Sequence, residues 1–543
     1  MQRTSSGTTV REPVALALVA GLSIAVAALL AVSLWHDGGA VVYTLDDAYI
    51  HLRLAANIAR GHYGIAPGEA SSPSSSILWP LLLAPFAALA WFEWVPFAIC
   101  LLAAAGIAVV FARVLREAVG PAHTRAQVVA QVACGLLALL VCNTVGLVFL
   151  GLEHELQVLL SLLLVLELFR VARGAAPGRA TWLLVVLGPL VRYENLALSA
   201  AALVFLAARG HRRHALVSAG VLLALLGGFS LFLLAQGLPA VPSSVLAKLG
   251  DPDLQGRTRT PLEHLMWNLT RTWSGGWVVL SIAGLMAAAV RPATPAERGL
   301  ALALAAALAA HLVLGSFGGF HRYEAYLLAV GLAGTALLHR ERLARARARA
   351  ARLTLAAATA LLLAASVRSA TVALASPLAI HELHRQQFQM ASFASDYWRR
   401  PVAVNDLGLV SFHARERVLD LWGLGSPGVL ARRRGATSMA WADSVCRTHG
   451  VQLVMIYDAW FPPPPAGWQL VAELRVAPGP QLPISHGILK GFARLWYGRR
   501  PTVVVASRHV RFYVTDPAFE PAARVALERW SATLVAGSEF RLE

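Results

Sequence analysis

Long apolar runs, separated by short arginine-bearing segments, fill the first two-thirds of the chain. Crossing a bilayer as a helix takes about 20 apolar residues. The first run, VALALVAGLSIAVAALLAVSLW, meets that length. It is too long for a removable signal peptide and lacks a small-residue cleavage site, so it is read as the first transmembrane helix. Spans are predicted at roughly 14–35, 95–113, 127–149, 155–171, 180–191, 195–208, 215–235, 276–290, 299–314, 325–338 and 354–375, about eleven in all. The run ILWPLLLAPFAALAWF at 77–92 is treated as an interfacial or re-entrant segment on the outer side. Counting it as a span would invert every later arginine cluster. The two short spans at 180–191 and 195–208 suit a helical hairpin whose tip, Arg192–Asn195, ends inside the membrane thickness. Backbone breaks at that depth occur where they line a cavity.

Residues 377–543 change character. Apolar runs shorten to strand length, as in PVAVN, VQLVMIYD and RFYVTD, and alternate with helical stretches near 380–398, 437–449 and 517–535. That is the pattern of a small α/β domain. FPPPP marks a rigid surface loop. The predicted fold class is therefore mainly α: a polytopic transmembrane helical bundle over 1–376, followed by a small extracytoplasmic α/β domain over 377–543.

Composition agrees with a membrane protein. The chain is 57% hydrophobic, with a mean hydropathy of +0.59 and 14% charged residues; soluble domains carry about 25% charge. The net charge of +17 is almost all arginine, Lys248 and Lys490 being the only lysines. Basic proteins often bind nucleic acid, but here the arginines recur between apolar spans, as orientation signals do. They cluster at Arg3/Arg11, Arg113/Arg116/Arg125, Arg170/Arg173/Arg179, Arg209/Arg212/Arg213, Arg291/Arg298 and in HRERLARARARAARL. With an odd number of spans every cluster falls on one side, which the positive-inside rule makes the cytoplasm. The N-terminus is then inside and everything after 376 outside. The four cysteines form neither a disulfide framework nor a metal-spacing motif.

This topology gathers the polar residues on the outer face. Asp46 and Asp47 lie just beyond the first span in TLDDAYIHLRLAANIARGHYG, with His51 and Arg53 following. Glu153 and His154, Arg192 and Glu194, Lys248, and His321, Arg322 and Glu324 fall in the other outer loops. Each has a bland alternative. Glu153 and His154 could be a solvated helix start, Arg192 and Glu194 a self-neutralising pair, and His321 and Arg322 an interfacial snorkel. Juxtamembrane acids default to function, and their convergence with bases on one face reads as a site. Two acids without metal-spaced histidines suit general-base work on a hydroxyl. Arginine and lysine beside the bilayer suit a phosphate head group. The reaction implied is transfer of a group from a lipid phosphate to an acceptor alcohol.

The segment LDDAYIHLRLAANIARGHYGIAPGEASSPSSSILWPLLLAPF resembles the first outer loop of GT-C glycosyltransferases, most like the branch containing bacterial arabinofuranosyltransferases. The matching positions are Asp46 to Ile50, Asn57, Gly61-His62, Pro67-Gly68-Glu69 and Leu78-Trp79. GLEHELQVLL, VRYENLAL, LPAVPSSVLAK, FGGFHRYEAYLL and VAVNDLGLVSFHARERVLDLWGL resemble further family segments in the same order. The hairpin tip departs from the family's Arg-Pro-Glu-Gly, with Tyr193 for Pro and Asn195 for Gly.

The resemblance implies a multi-pass glycosyltransferase of the bacterial inner membrane. It would use a polyprenyl-phosphate sugar donor, arabinofuranose being one option, and act with inversion on a cell-surface glycan, glycolipid or protein. Asp46 is the expected general base, with Asp47 orienting the acceptor or sharing the work. Lys248, Arg322 and His321 are expected at the donor phosphate. His51, Arg53, Glu153, His154, Arg192 and Glu194 are expected to position sugar or acceptor. No cofactor is required, because fixed cations can stabilise the leaving phosphate; a divalent ion on Asp46, Asp47 and Glu153 is the alternative. The rival functions are a lipid or glycolipid transporter or flippase and a non-catalytic cell-envelope assembly protein.

Arginine placement yields a direct test. A reporter active only when exported, fused after residue 400, is expected to be active, and one fused within 340–352 to be silent. Silence of the first fusion would scatter the proposed site across two compartments.

Overall fold

The computed structural model describes residues 13–249, 260–290, 294–345, 348–477 and 507–543. Helix α1 (Pro13–His36) is apolar around its circumference, and its buried positions Val14, Leu18, Leu22 and Val26 recur every four residues. That stripe packs on α4 (Val95–Val119) and α5 (Arg125–Val141). Gly135 of α5 leaves the space that Leu18 fills; a Cβ there would collide with both Leu18 methyl groups. Small residues at such crossings let helices approach closely in a bilayer. The opposite face of α1 exposes Leu16, Ile24 and Trp35, an apolar surface suited to lipid.

Among the described residues, six helices are long and apolar enough to cross a membrane: Pro13–His36, Phe92–Val119, Arg212–Ala235, Trp273–Val290, Pro295–Leu314 and Ala357–Trp398. Shorter apolar helices at Arg125–Val141, Arg179–Val191, Tyr193–Ala208 and Ala325–Leu338 pack among them. The segment at 77–92 is not a span. It contains the short α3 (Leu78–Leu83) and a 3₁₀ turn. Between α1 and α3 lies α2 (Asp47–Ile58), an amphipathic helix.

Two expected spans differ from what the structure holds. The span at 127–149 is broken: α5 stops at Val141, and a separate α6 spans Thr144–Val148. Asn143 sits between them with a left-handed φ of 54°, a conformation that asparagine tolerates better than most residues. Its side-chain amide donates to the Phe320 carbonyl at 2.6 Å. The last span is part of a much longer helix, Ala348–Arg385, with Pro377 inside it. The boundary expected at 376/377 lies within this helix, so bundle and outer domain share one continuous rod.

Among the described residues, the C-terminal domain, called the outer domain, is built on a six-stranded sheet of order β2-β1-β3-β5-β4-β6. Strands β1 (Val402–Val404), β2 (Val418–Asp420) and β3 (Leu453–Ile456) run parallel. Strands β4 (Gln469–Val476), β5 (His509–Val514) and β6 (Ser538–Leu542) complete it in antiparallel pairing. The parallel strands are buried along their whole length, as strands covered on both faces are. Trp530 anchors one face against Phe393, Phe512 and Phe540.

Candidate active site

A cavity of about 210 Å³ lies where bundle and outer domain meet. Asp47, His51, Ser75, Glu153, His154, Arg192 and Arg322 line it from the bundle side, and Trp422, Leu424 and Arg433 from the outer domain.

The floor is set by the hairpin tip. Helix α8 (Arg179–Val191) ends at Arg192, whose backbone is extended, and a 3₁₀ turn leads into α9 (Leu196–Ala208). Asn195 anchors the turn on α7 (His154–Ala172). It accepts a hydrogen bond from Gln157 at 2.9 Å and donates to Ser161 at 3.1 Å. Both ends of the Asn195 side-chain amide are thus satisfied. Arg192 is 3% exposed and donates to Glu153 at 2.7 Å, to Ser75 at 2.9 Å and to Glu194. Glu153, 1% exposed, also faces His51 at 3.7 Å. Burial pushes the Glu153 carboxyl up, and the Arg192 guanidinium, with His51 beside it, outweighs this and holds it below the usual range. Burial depresses His51, which Glu153 partly opposes. Gly151, at a φ of +61°, makes the turn before Glu153, and the ring of Tyr43 occupies the place of a Cβ.

The two adjacent aspartates point in different directions. Asp47 is 43% exposed and pairs with Arg322 at 2.7 Å; Arg322 also donates to the Tyr323 hydroxyl at 2.8 Å. Asp46 is 6% exposed and outside the cavity lining. Its carboxylate accepts the backbone N–H of Gly408 and, at 2.7 Å, of Leu409. These open α10 (Gly408–His413) of the outer domain.

The other expected residues divide likewise. His154 lines the cavity beside the Tyr323 ring. Lys248 belongs to a short helix, Ser243–Leu249, whose Ser244 and Ala247 line the cavity; its side chain lies outside the described residues. Arg53 does not line the cavity and donates to the Ile65 carbonyl at 3.2 Å, bracing the first loop. Nor does His321. It pairs with Glu324 at 3.0 Å and lies against Arg368 and Ser274. Phe320 and His321 both have positive φ, 65° and 57°, which turns this imidazole into the bundle. Asp46 is directed away from Asp47 and Glu153, and among the described residues no cluster of three or more His, Cys, Asp or Glu suits a metal.

The three lining residues from the outer domain, Trp422, Leu424 and Arg433, are not among the expected site residues. Asp420 ends β2 and accepts N–H groups from Trp422, Leu424 and Gly425 at 2.8, 2.6 and 2.8 Å. That grip presents Trp422 and Leu424 to the cavity. Arg433 stacks 3.6 Å from the Trp422 ring centroid and donates to the Trp422 carbonyl at 3.0 Å. The Asp-Leu-x-Gly-Leu motif carried the signal for the loop; nothing local marks Arg433.

A family model described as a domain of unknown function, DUF8728, matches residues 379–525. No curated protein sequence matches the chain. Among solved structures, ArnT from Cupriavidus metallidurans in the apo state is similar, with a TM-score of 0.47 and 14% identity over 92% of this chain and 98% of that one. The oligosaccharyltransferase of Archaeoglobus fulgidus, in a complex with zinc and sulfate, is similar at a TM-score of 0.37 and 16% identity, over 80% of this chain and 67% of that one.

The cluster around Arg192 generates a stability prediction. Removing one partner of a buried ion pair costs about 3–5 kcal/mol, because the other charge stays buried without compensation. Arg192→Met is expected to lower thermal stability in detergent by that order. Arg447→Met, which breaks an exposed pair with Asp443, is expected to change it by about 1 kcal/mol or less. Equal effects of the two substitutions would contradict the buried cluster.

Proposed function

We propose that this protein is an inverting membrane glycosyltransferase that moves a sugar from a polyprenyl-phosphate donor to an acceptor hydroxyl on the outer face of the bacterial inner membrane. The observation that carries the proposal is the accessible Asp47 carboxylate, set among arginines in a cavity between bundle and outer domain. The sequence motifs shared with GT-C enzymes point the same way, and arabinofuranose is the first donor sugar to try.

Asp47, rather than Asp46, acts as the general base. The acceptor hydroxyl gives its proton to Asp47 as its oxygen attacks the anomeric carbon. The bond from that carbon to the phosphate oxygen breaks, and polyprenyl monophosphate leaves. One displacement inverts the configuration. Arg322 and Lys248 hold the leaving phosphate, Arg as a planar fork and Lys as a point charge. Phosphate competes with Asp47 for Arg322, so donor binding frees the base for the acceptor. Arg192 and its two glutamates, with His51 and His154, shape the sugar end, and Trp422 offers an apolar face for a sugar ring.

The test is transfer by purified protein from polyprenyl-phosphate sugars to extracted surface acceptors. A positioned base contributes about 10²–10⁴-fold. Asp47→Asn is expected to lose that much kcat while still binding donor. Arg322→Ala and Lys248→Ala are each expected to weaken donor use roughly tenfold to a hundredfold, the worth of one charge-assisted hydrogen bond. Near wild-type turnover by Asp47→Asn would remove the base from the scheme and favour a transporter.

A further inference from the structure

Glu324 is fully buried at the start of the helix Ala325–Leu338, yet its carboxylate does not cap that helix. It reaches back along the chain instead. One oxygen accepts the Gly318 N–H at 2.9 Å. The other accepts the Ser274 hydroxyl at 2.9 Å and faces His321 Nδ1 at 3.0 Å. On the far side of the imidazole, the Arg368 Nε–H donates to His321 Nε2 at 3.1 Å. A guanidinium N–H cannot accept, so Nε2 is the acceptor of the ring and Nδ1 carries the hydrogen that goes to Glu324.

These bonds hold a rare stretch of backbone. Gly318, Gly319, Phe320 and His321 have φ values of 103°, 55°, 65° and 57°, four positive values in succession. The Arg322 N–H closes the run on the Gly318 carbonyl at 3.2 Å. At Phe320 and His321 a Cβ is crowded by the following carbonyl in this conformation. Such residues persist where their surroundings over-determine them. Glu324 grips the run at its beginning, Gly318, and at its end, His321. Asn143 holds the Phe320 carbonyl between them at 2.6 Å. The residue that leaves the run is Arg322. Its side chain folds back over Gly319, where a Cβ would lie 3.1 Å from the guanidinium Nε, and it reaches Asp47 at 2.7 Å.

We propose that Glu324 is a positioning residue: by gripping both ends of the run Gly318–His321 it sets Arg322 beside Asp47, where the donor phosphate is bound. The proposal rests on the function proposed above. Glu324 is not among the residues that line the cavity, so it acts through Arg322. The bond geometry also explains why a carboxylate stands here. The Gly318 and His321 N–H donors come to different oxygens, and neither donor can reverse. A glutamine offers one oxygen and one NH₂ group, so it serves one of the two donors and opposes the other. Through His321 the grip extends to Arg368 on the helix Ala348–Arg385, the rod that carries the outer domain.

The experiment uses the full-length protein in detergent, with a polyprenyl phosphate as the probe. Arg322→Ala sets the scale, a loss of roughly tenfold to a hundredfold in binding. Glu324→Gln is expected to weaken binding toward that scale and, in the transfer assay, to raise donor KM more than it lowers kcat. Adding Glu324→Gln to Arg322→Ala is expected to cost little more, because a residue that acts through Arg322 then has nothing to position. Amide hydrogen exchange over 318–322 is expected to quicken in Glu324→Gln as the run loosens. Gly319→Ala leaves Glu324 in place and presses a Cβ on the guanidinium; it is expected to weaken binding too, and it carries the test if Glu324→Gln does not fold. Wild-type binding by both Glu324→Gln and Gly319→Ala, or losses from Glu324→Gln and Arg322→Ala that simply add, would overturn the proposal. A wild type that binds no polyprenyl phosphate would instead reject the proposed function. Hydrogen exchange then decides the grip by itself: faster exchange over 318–322 in Glu324→Gln supports it, and unchanged exchange overturns it.

Discussion

A guanidinium almost sealed from solvent constrains this molecule more than any other single group. Taking an arginine out of water costs several kcal/mol even after relaxation, and Arg192 is nearly fully buried. Its charge is met by carboxylates from two places, Glu153 after the Gly151 turn and Glu194 within the hairpin tip, and by the Ser75 hydroxyl of the first outer loop. Three segments distant in sequence are therefore fixed at one point. Moving any of them would leave a buried charge unmet. The break between α8 and α9 is held by this cluster and by the Asn195 bonds to α7, and the cavity floor is the space these segments enclose.

The outer domain is a wall of the same cavity. The long helix Ala348–Arg385 carries it rigidly from the bundle. Arg417 pairs with Glu69 of the first loop, and Arg434 donates to the Leu246 carbonyl of the helix that bears Lys248. Asp420 spends its carboxylate on three amides of the Trp422 loop, which fixes an aromatic face over the site at the cost of a buried acid. Burial raises that carboxyl, and the amides draw it back only in part. Such a loop is built for position, since its own backbone donors are already satisfied.

The apolar pattern was enough to find the bundle, because span length and arginine placement are properties of a single segment and its flanks. The same pattern merged α5 with α6, since the break at Asn143 depends on a bond to Phe320 that lies far along the chain. Site residues show the same division. Asp46 and Asp47 stand out by their juxtamembrane position, but neighbours on a helix point about 100° apart. Which of them meets the cavity depends on where α10 packs, and that is a tertiary fact. His321 is expected at the donor phosphate from its place in a predicted outer loop; two successive residues at positive φ direct it to Glu324 instead. Arg433 has no motif around it, and its place follows from stacking on Trp422.

The two arginines that face the cavity from the bundle differ in how readily each can release its partner, and this gives the site a direction. Separating Arg192 from Glu153 would strand two buried charges, at about 3–5 kcal/mol. Asp47 is nearly half exposed, so it stays ionised and hydrated when Arg322 leaves it. Pairs with that access to water are worth about 0–1 kcal/mol, so the phosphodiester of the proposed donor, with one negative charge and two acceptor oxygens for the guanidinium fork, exchanges with Asp47 at little cost. In the proposed reaction Arg192 is therefore scaffold, and Arg322 is the cation that follows the donor phosphate. Asp47 cannot follow it, because it is anchored through Asp46 to the outer domain. One ion pair thus combines a mobile half with a fixed half, as a site that must bind an anion before it uses a base requires.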